Sequence, residues 1–161
     1  MREAAAPIPA HPRNELPPTI HASAVQVAGQ GVLVRGPSGS GKSSLLLALL
    51  LADRAGNRLV ADDRVVLAVA AGRLLAAPPA ELAGLIEVRG QGILRQDHVP
   101  SAEIALVVDL EPAAECPRMP EAESAFVELA GVRVRRIRLP IGQADGWMRV
   151  MAAVLFAPAA I

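Results

Sequence analysis

The run Gly36-Pro37-Ser38-Gly39-Ser40-Gly41-Lys42-Ser43-Ser44 satisfies the phosphate-loop pattern GxxxxGK[ST]. Such a loop needs a buried strand to enter it and a helix to leave it. Both are present: Gly31-Val32-Leu33-Val34-Arg35 reads as a short buried strand, and Ser43 to Leu51 is built from strong helix formers. The glycines let successive backbone N–H groups turn toward one anion, Lys42 carries an ammonium to the β- and γ-phosphates, and the Ser43 hydroxyl is placed to ligate Mg²⁺. The motif therefore predicts binding of a nucleoside triphosphate and Mg²⁺ over Gly36, Pro37, Ser38, Gly39, Ser40, Gly41, Lys42, Ser43 and Ser44.

Composition removes several other function classes. With 161 residues, 52% of them hydrophobic, one domain with a real core is expected. The formal net charge is +0, so no long-range field recruits nucleic acid or an anionic membrane. Aromatics make up 2% of the chain, too few for the stacking platforms of single-strand binders. Cys116 is the one cysteine and has no internal disulfide partner, and the N-terminal run Met1 to Pro9 lacks the long apolar segment of a signal peptide. The longest apolar run, Leu45 to Ala52, is far short of a membrane span. These features predict a cytoplasmic protein, with neither nucleic acid nor membrane as partner.

Residues 1–18 hold five prolines and no apolar periodicity, and are expected to form an extended or disordered leader to a domain over 19–161. Within that domain, strands are predicted at about 20–27, 31–35, 58–61, 65–70, 73–75, 85–88, 104–110, 125–129 and 132–139, with helices at about 42–54 and 144–156 and a short helix or turn at 79–84. Strands and helices do not alternate regularly. The fold class expected is α/β, a single phosphate-loop domain on a mixed β-sheet.

A triphosphate site also needs a carboxylate for its metal and a base for the attacking group. Two apolar strands end in acids: Leu59-Val60-Ala61-Asp62-Asp63, and Ile104 to Asp109. In the former, adjacent carboxylates point to opposite faces of the chain, so one touches metal while the other points elsewhere. The latter has the form of an ordinary Walker-B strand. Asp62 and Asp63 also read as a solvated turn, and Asp109 as a loop-entry residue, so the residues alone leave the choice open.

The strings His21-Ala22-Ser23-Ala24-Val25, Gly31 to Ser44, Arg58-Leu59-Val60-Ala61-Asp62-Asp63-Arg64-Val65 and Leu85-Ile86-Glu87-Val88-Arg89-Gly90-Gln91-Gly92-Ile93, in this order, resemble the HPr kinase/phosphorylase family, and in particular a short form without the N-terminal domain. The resemblance runs from about Ile20 to Phe156. It implies an ATP-dependent kinase that phosphorylates a serine of HPr, the phosphocarrier of the phosphotransferase system, together with a reverse phosphorolysis. It also implies a fold akin to phosphoenolpyruvate carboxykinase and a homo-oligomer, commonly a hexamer. Carried over by position, Lys42 binds the phosphates, Ser43 and Glu87 hold Mg²⁺, Asp62 is the base and in reverse the acid, and Asp63 is an outer-shell or second metal contact. His21 and Arg118 fall at the family's catalytic histidine and arginine. Without the family, His21 reads as a strand histidine making a hydrogen bond.

The sequence departs from the family pattern in four places. Ser44 stands where an acid is usual, and the stretch Ala52-Asp53-Arg54-Ala55-Gly56 is longer than usual. After Arg138-Leu139-Pro140-Ile141 the chain reads Gly142-Gln143-Ala144-Asp145-Gly146, without the family's basic residue, so phosphorolysis is expected to be weak or absent. The end at Ile161 predicts a shortened C-terminal helix. Two other functions remain open: a small-molecule kinase or ATPase using Asp109, and a non-catalytic nucleotide-sensing regulator. No aromatic residue lies near the loop in sequence, so the seat of the base is not fixed.

Overall fold

The computed structural model describes Ile8 and residues 18–159. The leader expected over 1–18 therefore lies outside the described residues, apart from Ile8 and Pro18. Eleven strands and two α-helices follow: β1 Thr19–His21, β2 Ser23–Val27, β3 Gln30–Arg35, α1 Lys42–Ala52, β4 Arg58–Ala61, β5 Arg64–Ala70, β6 Arg73–Ala77, β7 Leu85–Val88, β8 Gly92–Arg95, β9 Ala102–Glu111, β10 Phe126–Leu129, β11 Val132–Pro140 and α2 Gly146–Leu155. Nine strands form one mixed sheet, running β1-β5-β6-β9-β3-β2-β4, with β11 added on β9 and β10 on β11; β7 and β8 form a separate hairpin.

Strand β9 organises the sheet. Its first residues pair antiparallel with β6, and the rest pairs parallel with both β3 and β11. Its continuous run of buried side chains fits a strand covered on both faces. Alternation sorts the core into two clusters. Val32, Val34, Leu106, Val108 and Leu139 face α1 and α2, whereas Leu33, Val107 and Val134 face the other way, toward Val65, Leu74 and Ala76 of β5 and β6.

Direction decides where the connections come out. β3, β9 and β11 are mutually parallel; β2 runs antiparallel to both β3 and β4, so β4 points the same way as β3. The C-terminal ends of β3, β4, β9 and β11 and the N-terminal end of β2 thus share one edge, the edge at which open α/β sheets bind ligands.

The segments differ from expectation in a few instructive places. The strand expected at 20–27 is two strands: β1 pairs with β5, β2 with β3 and β4, and the break falls at buried Ala22. α1 stops at Ala52 instead of 54, because the Asp53 carboxylate accepts the N–H groups of Ala55 and Gly56 and turns the chain. The longer stretch is absorbed in this turn, and β4 begins at Arg58 as expected. Strand β8 is not legible in the sequence: all four of its residues are exposed, so no core-facing alternation marks it.

Candidate active site

The phosphate loop leaves β3 and enters α1 through Gly41, at φ 94, a left-handed conformation that a glycine adopts without penalty. No side chain caps α1, so its first N–H groups are available to an anion. Gly36 is required by space: a Cβ there would lie 2.6 Å from Ser40 Oγ and 3.0 Å from Leu110 Cβ. Lys42 folds back over the loop, donating to the carbonyls of Gly36 at 2.9 Å and Pro37 at 3.0 Å. Burial lowers the Lys42 pKa from its ordinary value, and the nearby Asp63 and Asp62 charges oppose this.

Asp62 and Asp63 part company. Asp62 is buried, at 5% exposure, beneath the loop. Its carboxylate accepts the Ser43 hydroxyl at 2.9 and 3.0 Å, the fully buried Ser23 hydroxyl at 2.8 Å and the Glu87 backbone N–H at 3.1 Å. One carboxylate thereby ties together β2, α1, β4 and β7. Asp63 instead turns outward. Its φ is 66, and Arg64 N–H donates to Asp62 O at 2.8 Å, a γ-turn with a strained central residue. The Asp63 side chain, 61% exposed, lies 3.0 Å from His21 Nε2.

These groups open onto a cleft of about 750 Å³ lined by His21, Ser23, Ser38 to Ser44, Asp63, Glu87 and Arg89 on its polar side. Arg89 reaches the phosphate loop: a Cβ at Gly39 would sit 3.8 Å from its guanidinium Nη2. Sequence spacing assigns Arg89 no role, although it lies inside the Glu-x-Arg-Gly-x-Gly string; only the folding of the β7–β8 hairpin against α1 brings it to the loop.

Two residues do not join the cleft as expected. Asp62 lies directly behind the lining: its carboxylate, buried, is covered by Ser23, Ser43 and Glu87, which themselves line the cleft. Arg118 is exposed and also absent from the lining. The connection that carries it folds back on the ends of β9 and β11, with Arg138 Nη1 donating to Glu115 O at 3.3 Å and the Cys116 thiol set against Glu111 O at 3.9 Å.

Asp109, the rival metal-linked acid, is committed elsewhere. Arg35 donates to both its oxygens, at 2.7 and 2.8 Å, and Arg136 Nε donates at 2.5 Å. Asp109 does not line the cleft. Asp109→Asn is expected to cost about 1–3 kcal/mol of stability while changing turnover less than about twofold. Thermal melting beside steady-state kinetics checks both parts.

The residues present suit a magnesium–triphosphate complex. Ser43 and Glu87 supply hard oxygens of the kind Mg²⁺ accepts alongside phosphate oxygens and water. The buried Ser40 hydroxyl, on the wall of the cleft, has no hydrogen-bond partner among the described residues, a polar orphan that a phosphate oxygen would satisfy.

Residues 15–157 match the family model described as HPr Serine kinase C-terminal domain. The chain belongs to this family. It is 37% identical over 133 residues to an HPr kinase/phosphorylase of Enterococcus faecalis, an alignment covering 76% of this chain and 42% of that protein. It is 35% identical over 134 residues to the HPr kinase/phosphorylase of Limosilactobacillus reuteri, covering 76% and 41%. The chain thus spans about two fifths of the length of these relatives. Among solved structures, the Hpr(Ser) kinase/phosphatase from Coxiella burnetii superposes with a TM-score of 0.72 at 26% identity, covering 85% of this chain and 88% of that one. The mixed sheet with its two helices is therefore the family's fold. No described helix is long and apolar enough to cross a membrane.

Proposed function

We propose that this chain is an ATP-dependent serine kinase whose acceptor is an HPr-like phosphocarrier protein. The observation that carries the reading is the meeting, in one cleft, of the phosphate loop with the His21–Asp63 pair. Lys42 leaves its two loop carbonyls to neutralise the β- and γ-phosphates, and Arg89 adds a second cation beside Gly39. Ser43 and Glu87 would hold Mg²⁺, which would spread the charge of the transferring group. Asp62 keeps the Ser43 hydroxyl aimed and ties the Glu87 strand to the loop.

The base in this proposal is Asp63, which exchanges roles with Asp62. Asp63 accepts the proton of the substrate serine as that oxygen bonds to the γ-phosphorus and the bond to the β-phosphate oxygen breaks. His21, at 3.0 Å, orients the accepting carboxylate. Arg118 has no part in it. The wall formed by Gly142 to Gly146 carries no cation, which supports weak or absent phosphorolysis. The kinship with phosphoenolpyruvate carboxykinase and a hexameric assembly belong to the same reading, and light scattering tests the assembly.

The test is transfer from γ-labelled ATP, with Mg²⁺, to an HPr-like protein. Label on serine is expected, and Lys42→Met should reduce its rate by about 10²–10³-fold. ATP binding without label would favour the regulator, and label on a small molecule instead of the protein would favour the other kinase class.

A further inference from the structure

The cleft has a second half that phosphate chemistry does not use. Beyond Ser44 its wall continues along α1 to Leu47 and Ala48, and crosses to the connection between β11 and α2, where Ile141, Gln143 and Trp147 line it. This half is largely apolar, and it is continuous with the loop. We infer that it seats the purine base of the nucleotide, with Trp147 and Leu47 as its apolar walls and the Gln143 amide at its polar edge. The inference rests on the reading of the loop as a triphosphate site.

Three observations support this. First, the position is right along the helix: Leu47 and Ala48 lie four and five residues past Ser43, about 6–8 Å along the axis, an offset for the ribose to bridge. Second, the wall suits a flat apolar ligand. Leu47 and Trp147 pack partly on the core beneath α1 and α2 yet keep part of their surface on the cleft, and Ile141 remains 40% exposed there. An indole presents a large π-face for a base to lie on. Third, the Gln143 side chain makes no hydrogen bond among the described residues. Its amide offers one donor and one acceptor side by side, the pairing that reads the amine and ring nitrogen of adenine.

The sheet explains why a residue so distant in sequence serves the loop. β11 lies one strand beyond β3, across β9, and runs parallel to both, so the turn after β11 emerges beside the phosphate loop. That turn is held by Ile141 N–H donating to Glu111 O at 2.9 Å and Gln143 N–H donating to Pro140 O at 3.3 Å.

The chain has one tryptophan and no tyrosine, so its emission reports on Trp147 alone. Titrating the wild-type protein with MgATP is expected to change this emission, whereas magnesium tripolyphosphate, which lacks a base, leaves it near its starting value. Trp147→Ala should weaken MgATP binding about tenfold or more while leaving tripolyphosphate affinity within about twofold, and that unchanged affinity also certifies the fold. Trp147→Phe should recover most of the loss, and Gln143→Ala should narrow the preference for ATP over GTP. The inference is overturned if Trp147→Ala weakens both ligands equally, or if tripolyphosphate matches MgATP in affinity for the wild type; the triphosphate reading then still stands. Emission that follows the acceptor protein and ignores MgATP would assign this wall to protein docking instead. If the wild type binds neither ligand, the triphosphate reading itself fails.

Discussion

Asp63→Asn is expected to slow phosphoryl transfer to serine by about 10²–10⁴-fold, the range lost with a general base, while MgATP affinity changes less than about threefold. The substitution is isosteric, and asparagine tolerates the left-handed backbone that Asp63 adopts at φ 66. A fall in rate is then chemical and not a consequence of a reshaped turn. Alanine would be a poorer probe, since the same φ adds backbone strain of about 1–2 kcal/mol. Single-turnover transfer beside equilibrium nucleotide binding separates the two quantities. Transfer that survives in Asp63→Asn and is lost in Asp62→Asn, with the loop still binding MgATP, would return the base to Asp62.

Asp62→Ala is expected to act first on the fold. Three donors lose their acceptor: the Ser23 hydroxyl, the Ser43 hydroxyl and the Glu87 N–H. Bonds to a carboxylate are among the stronger ones, and a buried donor left unpaired carries its full desolvation cost, so a loss of about 2–4 kcal/mol is expected. For a domain of this size that lowers Tm by about 4–16 °C. Ser23→Ala removes one of those bonds together with its donor and should cost about 1–3 kcal/mol, less than Asp62→Ala. Thermal unfolding of the two variants, without nucleotide, measures the difference. Equal melting points for wild type and Asp62→Ala would mean that the carboxylate does not hold the four elements together.

The two aspartates show where local reading stops. Alternation correctly sends neighbouring strand-end side chains to opposite sides, so the pair is recognisable as one inward and one outward group. Which of them meets the cleft depends on the γ-turn at Asp63 and on Ser23 lying across from Asp62 on β2, both products of strand pairing. Asp109 shows the same limit from the other side. Its strand is the clearest buried run in the chain, yet Arg35 from β3 and Arg136 from β11 close around its carboxylate, and only the parallel order β3-β9-β11 brings those arginines there.

Contiguous residues are enough to define the phosphate loop, the order of nearly all the strands, both helices and the family, because each of these is written locally: in glycine spacing, in apolar periodicity, and in strings such as Val-Ala-Asp-Asp and Glu-x-Arg-Gly-x-Gly. Which members of those strings share a cleft is settled by the folded sheet. It brings His21 to Asp63, Arg89 to Gly39 and Trp147 to the flank of α1, and it leaves Arg118 outside. A cleft at a sheet edge is assembled from the ends of strands that are neighbours in space, and the direction and order of those strands are set by hydrogen-bonded pairing between segments far apart in the chain.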